Sequence, residues 1–211
     1  MKSLINSLFL LPFIPNISYK KLIGSRYTDT LSISILCLLL IFQVIGGYFV
    51  LPVSYEELGL IYEDIPSGQI GINHIMTVVY YLITLVVCAY YLFHLGNIIS
   101  STSKVSLSKI FNIVILGSIV DVYVYLIRIP LIVILNTTKI NFGPSFFIEA
   151  DGTFFSELIK FVDLLLIWKY VIIGIGLSSV YKYKSWIYIV LSLSFLLIYG
   201  IVISLLRTSF E

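Results

Sequence analysis

The sequence predicts an all-α polytopic membrane protein with five transmembrane helices, and three observations carry that prediction. Of 211 residues, 59% are hydrophobic and 11% charged, against about 25% charged in an ordinary soluble domain. The apolar residues gather into five runs, each long enough to cross a bilayer core, which takes about 20 helical residues. The polar segments between them are short and leave no room for a separate soluble domain. The predicted spans are residues 31–51, 72–99, 110–136, 154–180 and 186–206, and residues 1–30 precede them.

Residues 1–30 open with an apolar stretch too short to span and interrupted by Pro12 and Pro15. A signal peptide would need a more basic start and a small-residue cleavage site. The segment therefore reads as amphipathic and interfacial, with Lys20, Lys21 and Arg26 facing phospholipid headgroups. The first span is expected to end at Pro52, which has no N–H to donate, and Gly46 and Gly47 suggest close helix packing. The loop that follows holds Glu56, Glu57, Glu63 and Asp64 and no basic residue.

The second span carries Tyr80, Tyr81, Tyr90 and Tyr91, and tyrosines near span ends are interfacial anchors by default. His74 and His94 stand about 30 Å apart along one helix, too far to share a metal. Cys37 and Cys88 both sit in apolar runs and read as small buried hydrophobes rather than a disulfide.

The third span contains Asp121, Arg128 and Pro130, and the proline is expected to kink it. A polar loop follows, with the sequon Asn136-Thr137-Thr138 and then Lys139, Glu149 and Asp151. Near the start of the fourth span, Glu157, Lys160 and Asp163 are spaced i, i+3, i+6, close to one helical face. The same span carries Lys169. The connection YKYKS is so short that the fifth span must pack antiparallel against the fourth.

The charges inside the third and fourth spans are the chain's most informative feature. Each would cost roughly 3 kcal/mol at mid-bilayer without a partner. Residues at matching depth in an antiparallel hairpin have a constant sum of residue numbers, because both helices rise equally per residue. For Asp121 with Lys169 and for Arg128 with Asp163 that sum differs by only one. Both opposite-charge pairs thus fall level, with the turn centred near Ser145. One tension remains: Asp163 and Lys169, six residues apart, would diverge by about 120° on a regular helix. Two net-neutral pairs point to clamps that fix helix packing. The alternative is a small transporter or channel subunit whose polar path uses these four residues.

Basic residues set the expected orientation. With the N-terminus cytoplasmic, the inner segments hold Lys2, Lys20, Lys21, Arg26, Lys104, Lys109, Lys182 and Lys184, whereas the outer ones hold Lys139 and Arg207. The C-terminus is then outside or lumenal. Catalytic signatures such as G-x-S-x-G or H-E-x-x-H are missing. Glu56-Glu57 lies in a polar loop, so an intramembrane enzyme is disfavoured. No cofactor, metal or nucleic-acid motif is present.

The fourth span shows Asp163, Leu165 and Trp168, then an apolar run closing in Gly176-Leu177 before the basic turn YKYK. This pattern resembles the Yip1 domain family, five-helix membrane proteins with a cytoplasmic N-terminus. FIPNISYKKLI resembles the proline-then-aromatic start of bacterial members. In the third helix, where the family has a Tyr-Ser-x-x-Pro-like stretch, this chain has Arg128 two residues before Pro130. The resemblance implies a short, bacterial-type member in the inner membrane. Such a protein would be a non-catalytic scaffold or accessory subunit, working in the lipid bilayer with other membrane proteins such as an ABC-type exporter or trafficking machinery.

Overall fold

A computed structural model of the chain describes residues 2–23, 25–100, 104–138, 140–146 and 153–210. Lys139, Glu149 and Asp151 lie outside the described residues. The described chain is helical, in the order α1 (Lys2–Phe9), α2 (Pro15–Ile23), α3 (Thr28–Glu57), α4 (Ser67–Ile99), α5 (Leu107–Gly117), α6 (Ile119–Leu135), α7 (Phe154–Ile159), α8 (Leu164–Tyr181) and α9 (Ser185–Phe210). Five stretches are long and apolar enough to cross a membrane: α3, α4, α5 with α6, α8 and α9. The chain is thus an integral membrane protein by the length and composition of its helices.

The helix boundaries differ from the expected ones in ways that have physical causes. Pro52 does not end the first helix, which runs on to Glu57. A proline inside a membrane helix removes one ladder bond, and neighbouring groups can compensate for it there. Pro130 lies within α6, and a helical interruption falls further back, at Ser118. The Ser118 hydroxyl donates to the Val114 carbonyl at 2.8 Å, and Asp121 N–H reaches back only three residues, to Ser118 O. Back-bonding by a mid-helix serine loosens the regular ladder in this way.

The fourth span is not one helix. α7 stops at Ile159, residues 160–163 are non-helical, and α8 begins at Leu164. Asp163 adopts extended backbone (φ −108°, ψ 128°) and caps α8, its carboxylate accepting from Leu165 N–H and Leu166 N–H. The cap satisfies donors that a helix start leaves open. Glu157, Lys160 and Asp163 therefore do not share a helical face. At about 1.5 Å per residue, α8 alone is roughly 27 Å long, just enough for a bilayer core.

Burial identifies the centre of the bundle. In the apolar windows of the third span and α8, 56% and 50% of residues are buried, against 22% in α3 and in α4. The core forms where α2, α5 and α8 meet, around Tyr19, Ile113, Leu116, Ile173 and Leu177. As the short turn requires, α8 and α9 pack along their lengths. Residues Lys2–Phe9 and Pro15–Ile23, expected at the interface, form a helical hairpin docked against α8.

Candidate functional site

Both intramembrane pairs are present, each built on a helix irregularity. Asp121 stands in the first turn of α6, just after the break at Ser118, where the helix N-terminus favours a negative charge. Lys169 Nζ lies 2.6 Å from Asp121 Oδ2, and the Tyr81 hydroxyl of α4 donates to the same oxygen at 2.7 Å. The ammonium also faces the rings of Tyr81 and Tyr170 at 5.6 and 5.9 Å, a favourable arrangement for a cation in a dry site. The side chains of Lys169 and Asp121 are only 8% and 14% exposed. Three spanning segments therefore converge on one carboxylate.

The second pair lies at the α7–α8 break. Arg128 Nη2 of α6 donates to Asp163 Oδ2, and Phe142 N–H donates to that oxygen at 3.0 Å. Asp163 Oδ1 accepts from Leu165 N–H and Leu166 N–H at 2.9 and 3.1 Å. One buried carboxylate thus binds α6, the loop at Phe142 and the start of α8. Arg128 engages the carboxylate through Nη2, and its Nε is buried without a hydrogen-bond partner, while the guanidinium covers the Phe142 ring at 5.8 Å.

A third cluster was only half legible in the sequence. Glu157 in α7 is 6% exposed and pairs with Lys160 and with Arg207 near the end of α9, the latter at 2.9 Å. Burial pushes the Glu157 carboxyl upward, but the hydrogen bonds and charges of Lys160 and Arg207 outweigh it and hold the group below its ordinary value. The i, i+3 spacing signalled Lys160; nothing local signals Arg207, fifty residues on.

The remaining singled-out residues have structural placements. Glu57 accepts from Thr137 Oγ1 at 2.7 Å and Thr138 N–H at 2.9 Å, and Glu56 accepts from Asn136 Nδ2 at 3.1 Å. The glutamate pair ties the end of α3 to the end of α6. Trp168 Nε1 donates to Pro12 O at 2.9 Å. Gly176 gives way to Tyr19: a Cβ there would stand 2.5 Å from Tyr19 Cζ. Among the described residues, no group of three or more His, Cys, Asp or Glu could hold a metal. Surface clefts occur along residues 52–63 and between Ile23, Asp29, Lys109 and Asn112, and none of the four paired charges lines either. No protein-family model, curated protein or solved structure matches the chain.

Proposed function

We propose that this chain is a non-catalytic, Yip1-like scaffold or accessory subunit of a bacterial inner membrane, with its N-terminus cytoplasmic, that binds other membrane proteins. The observation that carries the reading is the pairing of all four intramembrane charges within the chain. Asp163 accepts four hydrogen bonds from within the chain, and Asp121 is held by an ammonium and a phenol on one oxygen. A group that carries a proton or ion must give up its partners at each turnover. Partners supplied from three segments at once favour a clamp that fixes helix packing. Such a clamp leaves the apolar outer faces of α3, α4 and α9 for lipid and neighbouring proteins; an ABC-type exporter fits the resemblance. The test is co-purification in mild detergent after crosslinking in the native membrane. A defined membrane-protein partner is expected, and a partnerless monomer would count against the scaffold.

One observation favours the alternative, a small transporter or channel subunit. Both charge pairs adjoin interrupted helices, at Ser118 and at residues 160–163, and discontinuous helices with buried charges are a recurring feature of transport sites. Reconstitution into liposomes separates the two. Ion or solute flux abolished by Asp121→Asn or Lys169→Met would establish transport, and no flux is expected under the scaffold reading.

A further inference from the structure

The turn between α1 and α2 lies deep along the bundle. Pro12 O meets the indole of Trp168, and from Tyr181, the last residue of α8, to Trp168 is about 20 Å along the helix. Phe9 O accepts from the Tyr123 hydroxyl at 3.1 Å, and Tyr123 stands about 24 Å along the third span from Leu107. The Phe13 ring packs edge-on against both Tyr123 and Trp168, at 6.1 and 6.2 Å. Higher up, Tyr19 is fully buried, its hydroxyl donating to Ile113 O at 3.3 Å.

Backbone at such a depth needs every polar group satisfied without water. Leu10, Leu11, Phe13 and Ile14 N–H all donate to carbonyls of residues 6–10. Pro12 has no N–H, and neither has Pro15 at the start of α2. The Phe9 and Pro12 carbonyls, turned toward the bundle, receive donors from Tyr123 and Trp168. The outer surface is graded in the same direction. Phe9, Leu10, Phe13, Ile14 and Ile17 are 45–62% exposed around the tip, and Lys20 and Lys21 are exposed nearer the mouth. Asn16 is an exposed polar side chain close to the tip.

We propose that α1 and α2 form a re-entrant hairpin that enters the bilayer from the side on which α3 begins. Its tip lies near the level of the Asp121–Lys169 pair, and its apolar outer face contacts lipid acyl chains. Lipid is the occupant the surface chemistry fits: the exposed tip is apolar but for Asn16, the mouth is basic, and the Phe9 and Pro12 carbonyls meet donors inside the bundle. The segment is then a sixth membrane element that does not span.

The test places a fluorophore on single cysteines introduced by Phe13→Cys or Lys20→Cys, in a chain carrying Cys37→Ser and Cys88→Ala. The full-length protein is reconstituted in phosphatidylcholine–phosphatidylglycerol vesicles containing lipids with a nitroxide on the headgroup or deep in the acyl chain. At position 13 the deep nitroxide is expected to quench several-fold more than the headgroup nitroxide, and at position 20 the order should reverse. Stronger headgroup quenching at position 13 would overturn the proposal in favour of an interfacial segment. Protection of position 13 from both nitroxides would overturn it in favour of a second copy or another protein covering the face. Adding Trp168→Phe removes the donor to Pro12 O and is expected to shift position 13 toward the headgroup quencher; an unchanged depth would show that the indole does not hold the tip.

Discussion

Asp163 does two jobs that conflict in a charge swap. As counter-ion it needs only a negative charge opposite Arg128, but as N-cap it must accept from Leu165 and Leu166 N–H. Arginine accepts nothing. Arg128→Asp with Asp163→Arg should therefore restore little of the stability that either single substitution removes. Those singles should cost roughly 3–5 kcal/mol for stranding a buried charge, and loss of the cap adds about 1 kcal/mol to the Asp163 variants. Neither Asp121 nor Lys169 caps a helix, so Asp121→Lys with Lys169→Asp should recover more of its loss, short of full recovery because a cation enters the first turn of α6 and Tyr81 loses its acceptor. Thermal unfolding in detergent compares the two swaps directly, and equal recovery would remove the capping role from the account. The cap also resolves the 120° divergence between Asp163 and Lys169. Asp163 precedes the helix, and its extended backbone frees it from the regular angular spacing.

Among the elements, α8 and α9 come close enough for backbone to meet backbone at Gly174. At Gly174 an added Cβ would stand 2.5 Å from Ile189 Cα and 2.7 Å from Tyr188 O, both backbone atoms. Gly174→Ala must push the two helices apart and is expected to destabilise by about 1–3 kcal/mol, read as a lower melting temperature in detergent. α7 is a short element held by charge. Its Glu157 is lowered in the folded state by Lys160 and Arg207, so the unfolded chain binds a proton there more readily than the folded one. The stabilisation is present above the ordinary carboxylate value and is lost as pH falls below it through the lowered folded value. Glu157→Gln should flatten that acidic limb of the stability profile, and an unchanged limb would show that the pairs do not hold α7 to α9.

At the scale of the whole molecule the testable property is orientation. The proposed orientation, with the N-terminus cytoplasmic, would put the mouth of the N-terminal hairpin, the α4–α5 connection and the α8–α9 turn on the cytoplasmic side. Cysteine at Ser67 is expected to react with an impermeant maleimide on intact cells, and cysteine at Lys184 only after permeabilisation. The reverse pattern would invert the protein and move the hairpin to the other leaflet.

The five spanning segments and both ion pairs were legible in the sequence because each rests on a one-dimensional quantity. Apolar run length is set by bilayer thickness, and level pairing follows from equal rise in neighbouring antiparallel helices. Position along a span says nothing about who supplies the remaining partners. Tyr81 on Asp121, Phe142 on Asp163 and Arg207 on Glu157 are set by how α4, the Phe142 loop and α9 close around the central helices. Helix continuity was also decided in three dimensions. Pro52 and Pro130 are carried within helices, whereas the spans are interrupted at Ser118 and at Asp163, whose carboxylate takes the first N–H groups of α8. The N-terminal segment shows the same division. Its amphipathic composition is written in the chain, but the apolar face could meet a membrane surface or a protein groove equally well. Only the fold, by bringing Trp168, Tyr123 and Gly176 to one side of the bundle, provides the groove that receives it.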